Sequence, residues 1–144
     1  MDQKRYLIKY CSRIMRRTHA HLDLELKDFG VSSGCYPYLL ELSEEEGINL
    51  DKISRRLNVD KAFSTRAIQK LSDQGYIEKV ADQADSRAYL LYLTELGRAQ
   101  VPGILGKINN WIDEITEGLS DEEKTTVVRL LGKIVENTES KGLK

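Results

Sequence analysis

A change of hydrophobic period at Gly75 constrains the fold of this chain more than any other feature. Before Gly75 two helical segments are separated by a tight turn, and after it apolar residues alternate with polar ones. Asn49 can cap a short helix over residues 50–57. Asp60 can cap a second helix that begins at Lys61, and Gly75 is the residue type expected just past its end. This order predicts a helix–turn–helix.

Two strands are predicted immediately after Gly75. Residues 76–80 and 88–93 are rich in β-branched, aromatic and apolar side chains, and the polar segment 82–87 lies between them. They predict a β-hairpin with a charged, exposed tip. A helix–turn–helix followed by a hairpin is the order of a winged-helix module. There the second helix can enter a DNA major groove, and the hairpin can contact the neighbouring backbone or minor groove.

Amphipathic helices are predicted on the N-terminal side of this module. The first covers about residues 3–27, and Gly30 is expected to close it. Ser32 and Ser33 supply N-cap hydroxyls for a second helix, in which Pro37 fits only near the start. The apolar stripe of the first helix is Leu7, Cys11, Ile14, Thr18 and Leu22.

Helical spacing returns from Thr94. Pro102 and Gly103 are expected to kink or delay the first C-terminal helix, and Ser120 begins a capping box that opens the last one. The first of them is too apolar for an isolated surface helix. Their apolar faces comprise Val101, Ile104, Leu105, Ile108, Trp111, Ile112, Ile115 and Leu119, and then Val127, Leu130, Leu131 and Ile134.

The second helix of the helix–turn–helix carries candidate DNA contacts. Arg66 can grip the two acceptors of guanine, Gln69 can pair with adenine, and Thr65 can bond a phosphate or touch a thymine methyl. Lys61 and Lys70 suit phosphates. The alternative is an ordinary solvated helix face, which the neighbouring hairpin disfavours. The inward residues of this helix are predicted to be Phe63, Ala67, Ile68 and Leu71.

Composition limits the other possibilities. A length of 144 residues fits one domain, and 22 basic against 23 acidic residues give a net charge of −1. Any basic face must therefore be local; residues 50–98 carry 9 basic and 7 acidic side chains. No apolar run is long enough to span a membrane and the start is charged, so we expect a cytoplasmic protein with two reduced cysteines.

The sequence also resembles a known family. Residues 85–97 read D-S-R-A-Y-L-L-Y-L-T-E-L-G. This segment resembles the wing and following helix start of the MarR family of bacterial transcriptional regulators, whose pattern is roughly D-x-R-x-x-x-(L/V)-x-L-T-x-x-G. Residues 53–59, 65–71 and 75–77 are similar to that family's helix–turn–helix at the same spacing. The flanking helices also fall where the family has them, so the resemblance covers nearly the whole chain.

The resemblance implies a mainly α fold with a small β-hairpin wing, as one domain over residues 1–144. Residues of about 1–30 and 95–144 would be dimerisation helices that intertwine with those of a second copy. Residues of about 31–94 would form the winged-helix lobe, which binds a near-palindromic double-stranded DNA operator. The apolar terminal helices agree with a twofold dimer, whose recognition helices would lie about 34 Å apart. An ordinary intramolecular core is the alternative for those apolar stripes.

The resemblance also assigns roles at the tip of the hairpin. Arg87 would be the wing-tip residue that enters the minor groove, and Asp85 the acid that orients it. A guanidinium is attracted to the negative potential of a narrow minor groove, which makes this chemistry reasonable. A plain turn salt bridge would fit an isolated D-x-R equally well.

Family members often release DNA when a small aromatic acid binds between the DNA-binding lobe and the dimerisation helices. Arg16, Tyr36 and Tyr38 could serve such an effector, although surface charge and core aromatics explain them as well. Some members respond to thiol oxidation, for which Cys11 is the candidate; a buried structural thiol is the alternative. We expect a ligand-responsive repressor without a cofactor.

An enzyme and a protein-binding winged helix are the two alternative classes of protein. An enzyme is disfavoured because the sequence has no phosphate-binding glycine loop and no recognisable nucleophile motif. His19 and His21 are two residues apart on a helix and point in different directions, so no metal site is expected. A winged helix that binds protein instead of DNA stays open, because the net charge is −1 and Ala62 stands where the family usually has a hydroxyl.

Overall fold

The computed structural model describes residues 2–141. Within this range the chain forms six α-helices, one short 3-10 helix at Lys27–Phe29 and a small antiparallel sheet. The elements are α1 (Arg5–Glu25), α2 (Tyr36–Glu44), β1 (Ile48–Asn49), α3 (Leu50–Leu57), α4 (Lys61–Asp73), β2 (Ile77–Ala81), β3 (Tyr89–Leu93), α5 (Glu95–Ile115) and α6 (Asp121–Ser140).

The described chain divides into two compact units at residues 109 and 110. The first unit contains the helix–turn–helix, the sheet and a core of side chains that α1 to α5 contribute. The second unit contains the end of α5 and α6. Side chains with little or no exposure in the first unit include Leu22, Leu26, Leu39, Leu42, Ile53, Ile68, Leu71, Leu91 and Ile104.

Side-chain caps fix the ends of three helices where the sequence predicts them. Asn49 Oδ1 accepts a hydrogen bond from the backbone N–H of Lys52 at 2.9 Å. Asp60 Oδ1 accepts one from the N–H of Phe63 at 2.7 Å. Ser120 and Glu123 form both bonds of the predicted capping box. The boundaries of α3, α4 and α6 therefore follow from local chemistry.

The N-terminal boundaries differ from the prediction. Gly30 has a φ of 68° and ends the 3-10 helix rather than α1, which stops at Glu25. Neither Ser32 nor Ser33 caps α2; the residue before that helix is Cys35, which makes no side-chain cap hydrogen bond. The backbone carbonyl of Ser32 instead accepts bonds from the N–H groups of Cys35 and Tyr36. Pro37 lies in the first turn of α2, as predicted.

The hairpin has a third strand that the sequence did not predict. β3 lies between β1 and β2, and all pairs are antiparallel. The pair of Ile48 with Leu91 attaches the start of the helix–turn–helix to the wing. Ile77 pairs with Leu93 and Ala81 with Tyr89. The two predicted strands are confirmed, each beginning one residue later than expected.

The contact between the sheet and α5 requires a glycine. A Cβ atom at Gly97 would lie 2.3 Å from the carbonyl oxygen of Tyr76, which no side chain tolerates. The hydroxyl of Thr94 donates to the Gly75 carbonyl at 2.5 Å and accepts from the Gly97 N–H at 3.0 Å. These bonds fix the start of α5 beside the base of the hairpin.

Helix α5 is continuous through Pro102, so the prediction that this residue delays the helix is wrong. Gly103 has a packing role, because a Cβ there would lie 2.9 Å from the ring of Phe29. No helix among residues 2–141 is both long and apolar enough to span a bilayer.

Candidate nucleic-acid interface

Helix α4 has one buried and one exposed face. Ala67, Ile68 and Leu71 are buried, as predicted. Ser64 is buried as well, whereas Phe63 is 38% exposed, so the predicted inward position of Phe63 is wrong. The four buried positions have the i, i+3, i+4, i+7 spacing of one helix face, and on this face Ser64 Oγ lies 2.9 Å from the hydroxyl of Tyr38 on α2. The five predicted contact residues are all exposed: Lys61, Thr65, Arg66, Gln69 and Lys70.

The turn between α3 and α4 holds α4 at a fixed angle. Asn58 ends α3 with a φ of 54°, a left-handed conformation that asparagine tolerates better than most residues. The N–H of Val59 then donates to the Ser54 carbonyl at 3.1 Å. The exposed face of α4 is thus presented by a short turn with defined hydrogen bonds, as a helix–turn–helix requires.

The tip of the wing carries an exposed guanidinium. The Arg87 side chain is 93% exposed, and its Nε lies 3.8 Å from Asp85 Oδ1. The same carboxylate oxygen accepts a hydrogen bond from the Arg87 backbone N–H at 3.0 Å. Asp85 therefore orders the turn around Arg87 while the cation remains available to a ligand.

A concave surface joins α4 to the wing. Its cavity volume is about 510 Å³. Lys61 and Thr65 from α4 and Arg87 from the wing, three of the predicted contacts, share this surface. The complete lining is Asn49, Leu50, Asp51, Lys61, Thr65, Ile68, Lys79, Asp85, Arg87, Ala88, Tyr89 and Leu91.

Lys79 and Tyr89 are members of this surface that the sequence analysis missed. Both belong to the hairpin and both are exposed. In the β2–β3 register Lys79 is opposite Leu91, a core residue that is 2% exposed. Because side chains alternate across a strand, Lys79, Tyr89 and Leu91 share the face that points towards α4. The alternation was visible in the sequence, but the identity of the inner face was not.

Ion pairs and hydrogen bonds occupy several of the predicted contacts. Lys61 Nζ lies 3.0 Å from Asp51 Oδ1 on α3. Gln69 donates from Nε2 to Asp73 Oδ1 at 2.8 Å and accepts from Lys79 Nζ at 2.6 Å through Oε1. The exposed face of α4 is therefore partly ordered by its neighbours.

A second charged cluster connects α2 to α3. Glu45 receives hydrogen bonds from Lys52 Nζ at 3.1 Å and from Arg56 Nη2 at 2.9 Å. These bonds stabilise the carboxylate and hold the pKa of Glu45 below its usual value. The cluster links the end of α2 to α3, the first helix of the helix–turn–helix.

The predicted effector residues lie in different environments. Tyr38 is 1% exposed, and burial raises the pKa of its hydroxyl. Burial also raises the pKa of Tyr36, which is half-buried. Arg16 is exposed on α1 and donates to Ser12 Oγ, one turn earlier. The Tyr38 hydroxyl shares a hydrogen bond with Ser64 in the core.

Cys11 is half-buried on α1, and Cys35 is buried at the start of α2; both are free thiols. No group of three or more His, Cys, Asp or Glu side chains within residues 2–141 is placed to hold a metal ion.

A helix–turn–helix followed by a hairpin wing defines the winged-helix class, and comparisons with known proteins identify the family. The protein-family model described as "MarR family" matches residues 29–88. A relative from Clostridioides difficile, the HTH-type transcriptional regulator BilQ, is 34% identical over 106 residues, covering 74% of this chain and 72% of the relative. The chain therefore belongs to the MarR family of transcriptional regulators.

Solved structures agree with this assignment. A MarR transcriptional regulator from Methanosarcina mazei superimposes with a TM-score of 0.90 at 29% identity, covering 94% of this chain and 98% of the other. A MarR-family regulator from Listeria monocytogenes, solved in complex with 26mer DNA, has a TM-score of 0.86 at 25% identity and covers 95% of both chains. The mainly α winged-helix fold predicted from the sequence is confirmed.

Proposed function

We propose that this chain is a ligand-responsive repressor that binds a near-palindromic DNA operator as a homodimer, through α4 and the β2–β3 wing. One observation carries the proposal: Lys61 and Thr65 of α4 line the same concave surface as Arg87 of the wing. The Lys61 cation and the exposed Arg87 guanidinium match the demands of phosphate and minor-groove contact. Thr65 donates its hydroxyl to the Lys61 carbonyl at 2.8 Å and offers its methyl group to a thymine. The action proposed is binding rather than catalysis, in the cytoplasm where bacterial DNA lies.

A second copy of the chain is the proposed partner of the terminal helices. None of the twenty residues of α6, all within the described chain, is buried. Val127, Leu130, Leu131 and Ile134 on this helix are between 37% and 46% exposed. A lone amphipathic helix of this kind is marginal in water, because burial of its apolar face provides most of the stability of a protein helix. Exposed Leu7 and Ile14 give α1 a similar apolar face.

Dimerisation and DNA binding are therefore assigned to different segments of the chain. Residues of about 1–30 and 95–144 would dimerise, and residues of about 31–94 would bind DNA. A twofold axis would present two copies of α4 to one side of the duplex, about 34 Å or one helical turn apart. Two winged helices also make twice as many phosphate contacts as one, and a single small module makes few of them. A dimer seated on an operator excludes other proteins from the same DNA, which is the proposed basis of repression.

An aromatic-acid effector is the proposed signal for release. Arg16 offers an exposed cation for a carboxylate, and half-buried Tyr36 offers a phenol hydroxyl as a hydrogen-bond donor. Tyr38 would contribute an apolar wall, since its hydroxyl is bonded to Ser64. Thiol oxidation at half-buried Cys11 is the alternative signal.

The test of this proposal combines oligomeric state with DNA binding. Light scattering should give the mass of a dimer, and a salt-titrated shift assay should show tighter binding to selected DNA than to scrambled DNA. Arg66→Ala and Arg87→Ala should each weaken specific binding, and a salicylate-like acid should release the DNA. A dimer whose DNA binding is insensitive to both substitutions would instead favour a protein-binding module.

The dimer surface has its own matched control. Leu131→Asp places a charge on the apolar face of α6 and should shift the protein towards monomer. Thr125→Asp introduces the same charge about half a helical turn away from that face and should leave the dimer intact. A stable wild-type monomer, or equal masses for the two variants, would contradict the proposed role of α6.

A further inference from the structure

The side chain of Gln69 is held at both ends of its amide. Its Nε2 donates to Asp73 Oδ1 at 2.8 Å, one turn later on α4. Its Oε1 accepts from Lys79 Nζ at 2.6 Å, on strand β2. A glutamine that reads adenine uses one donor and one acceptor of the same amide. Each bond uses one of the two N–H donors and one of the two oxygen lone pairs, so the amide is fixed in orientation between Asp73 and Lys79.

Lys79 lies on the face of the hairpin that points towards α4. It pairs with Leu91 in the β2–β3 register and lines the same cavity as Lys61, Thr65 and Arg87. Glu78 and Val80, its neighbours in the chain, point to the opposite face of the sheet. The ammonium of Lys79 therefore belongs to the same concave surface as three predicted DNA contacts.

The two lysines of this surface have different partners. Lys61 is 3.0 Å from the carboxylate of Asp51, which offsets its charge. Lys79 is bound instead by the neutral amide oxygen of Gln69. An ammonium has three N–H donors, so one bond to an amide leaves two donors and the full positive charge available. Gln69 thus orders a long flexible side chain without neutralising it.

We propose that Lys79 is a DNA-phosphate contact between the recognition helix and the wing, and that Gln69 is the residue that positions it. Gln69 then acts through Lys79 and not on a base. This inference rests on the proposed DNA-binding function. It predicts that both side chains contribute to affinity for every DNA sequence, whereas neither determines sequence preference.

The test uses the full chain with Lys79→Ala, Gln69→Ala and the double variant. Lys27→Ala, checked by light scattering to have kept the wild-type mass, is the matched control, because it removes the same charge from the exposed 3-10 helix outside the cavity lining. Affinity is measured by salt titration on DNA selected by the wild type and on a scrambled duplex. For each of the two copies in the dimer, Lys79→Ala should weaken binding to both DNAs roughly fivefold at 0.15 M salt and flatten the salt slope by about 0.9. Lys79→Arg should keep the wild-type slope.

Gln69→Ala should weaken both DNAs by a similar factor and should have no further effect when Lys79 is already alanine. A loss confined to the selected DNA, with altered preference at one base pair, would overturn the inference and make Gln69 a base reader. A Lys79→Ala slope equal to that of Lys27→Ala would overturn the phosphate contact. Failure of the wild type to bind any DNA would overturn the proposed function itself, which distinguishes the two claims.

Discussion

Lys61 Nζ lies 3.0 Å from Asp51 Oδ1, so the first residue of the recognition helix forms an ion pair with the helix before it. Both side chains are more than 60% exposed, and such a pair contributes under about 1 kcal/mol to stability. Its larger effect is on the charge of the surface between α4 and the wing. Asp51 lines that surface and offsets one of the cations proposed to meet DNA.

Removing the Asp51 charge should therefore strengthen DNA binding. Asp51→Asn is expected to raise affinity for all sequences and to steepen the salt slope slightly, because Lys61 no longer has to leave the Asp51 carboxylate to bind a phosphate. Salt-titrated shift assays measure both effects. Glu78→Gln is the control, since it removes the same charge from the face of the hairpin that points away from α4. Equal effects of the two substitutions would mean that only net charge matters.

Substitutions of Arg66 and Lys61 should affect DNA binding in different ways. Arg66→Ala is expected to weaken binding to the preferred DNA by about 1–3 kcal/mol and to relax preference at one or two positions. Lys61→Ala should weaken all sequences alike and flatten the salt slope by about one for each copy in the dimer. Competition against a panel of single-base variants separates the two outcomes. Unchanged sequence preference in Arg66→Ala would argue against base contact by this residue.

The Tyr38–Ser64 hydrogen bond should contribute to the stability of the fold. Tyr38→Phe leaves the buried Ser64 hydroxyl without this partner and is expected to cost about 1–3 kcal/mol in the free energy of unfolding. Combining it with Ser64→Ala removes both polar groups and should recover part of that loss. Chemical denaturation of the four proteins forms a double-mutant cycle. Additive losses would show that the two hydroxyls are not coupled.

The Glu45 cluster should make stability depend on pH. Its folded-state pKa is lowered below the usual 4.5 by bonds from Lys52 and Arg56. The stabilisation is therefore present above pH 4.5 and is lost as the pH falls through the folded-state pKa. Glu45→Gln should melt at a lower temperature than the wild type at neutral pH, and the difference should shrink on acidification.

Glu44→Gln is the matched control for that pH series, because it removes the same charge one residue away while Lys52 and Arg56 remain bound to Glu45. Thermal unfolding across the acidic range measures all three proteins. A difference between wild type and Glu45→Gln that does not change with pH would contradict the assigned cause.

The features that the sequence predicts best are those set by neighbouring residues. Asn49, Asp60 and Ser120 cap helices through bonds to groups three positions away, so the sequence alone locates them. Strand β1 could not be predicted, because two residues become a strand only by pairing with Leu90 and Leu91 more than forty positions later. The polar partner of Ser64 could not be predicted for a similar reason, since Tyr38 is 26 positions away in the sequence.

The same contrast applies to the interface. The outer face of α4 follows from helical periodicity, and all five of its predicted contacts are exposed. Lys79 was missed because its position depends on which side of the hairpin packs on α4, and Leu91 settles that only in the folded chain. The bond that Lys79 donates to Gln69 joins β2 to α4 across ten positions and is likewise tertiary.

Random-sequence selection with the full chain tests the central claim most directly. If two copies present α4 to one face of DNA, the enriched sequences should contain inverted half-sites whose centres are about 10–10.5 base pairs apart. Each half-site should lose enrichment in Arg66→Ala. Enrichment of a single unpaired site, or of no sequence at all, would contradict the account of a homodimer that reads DNA through two winged helices.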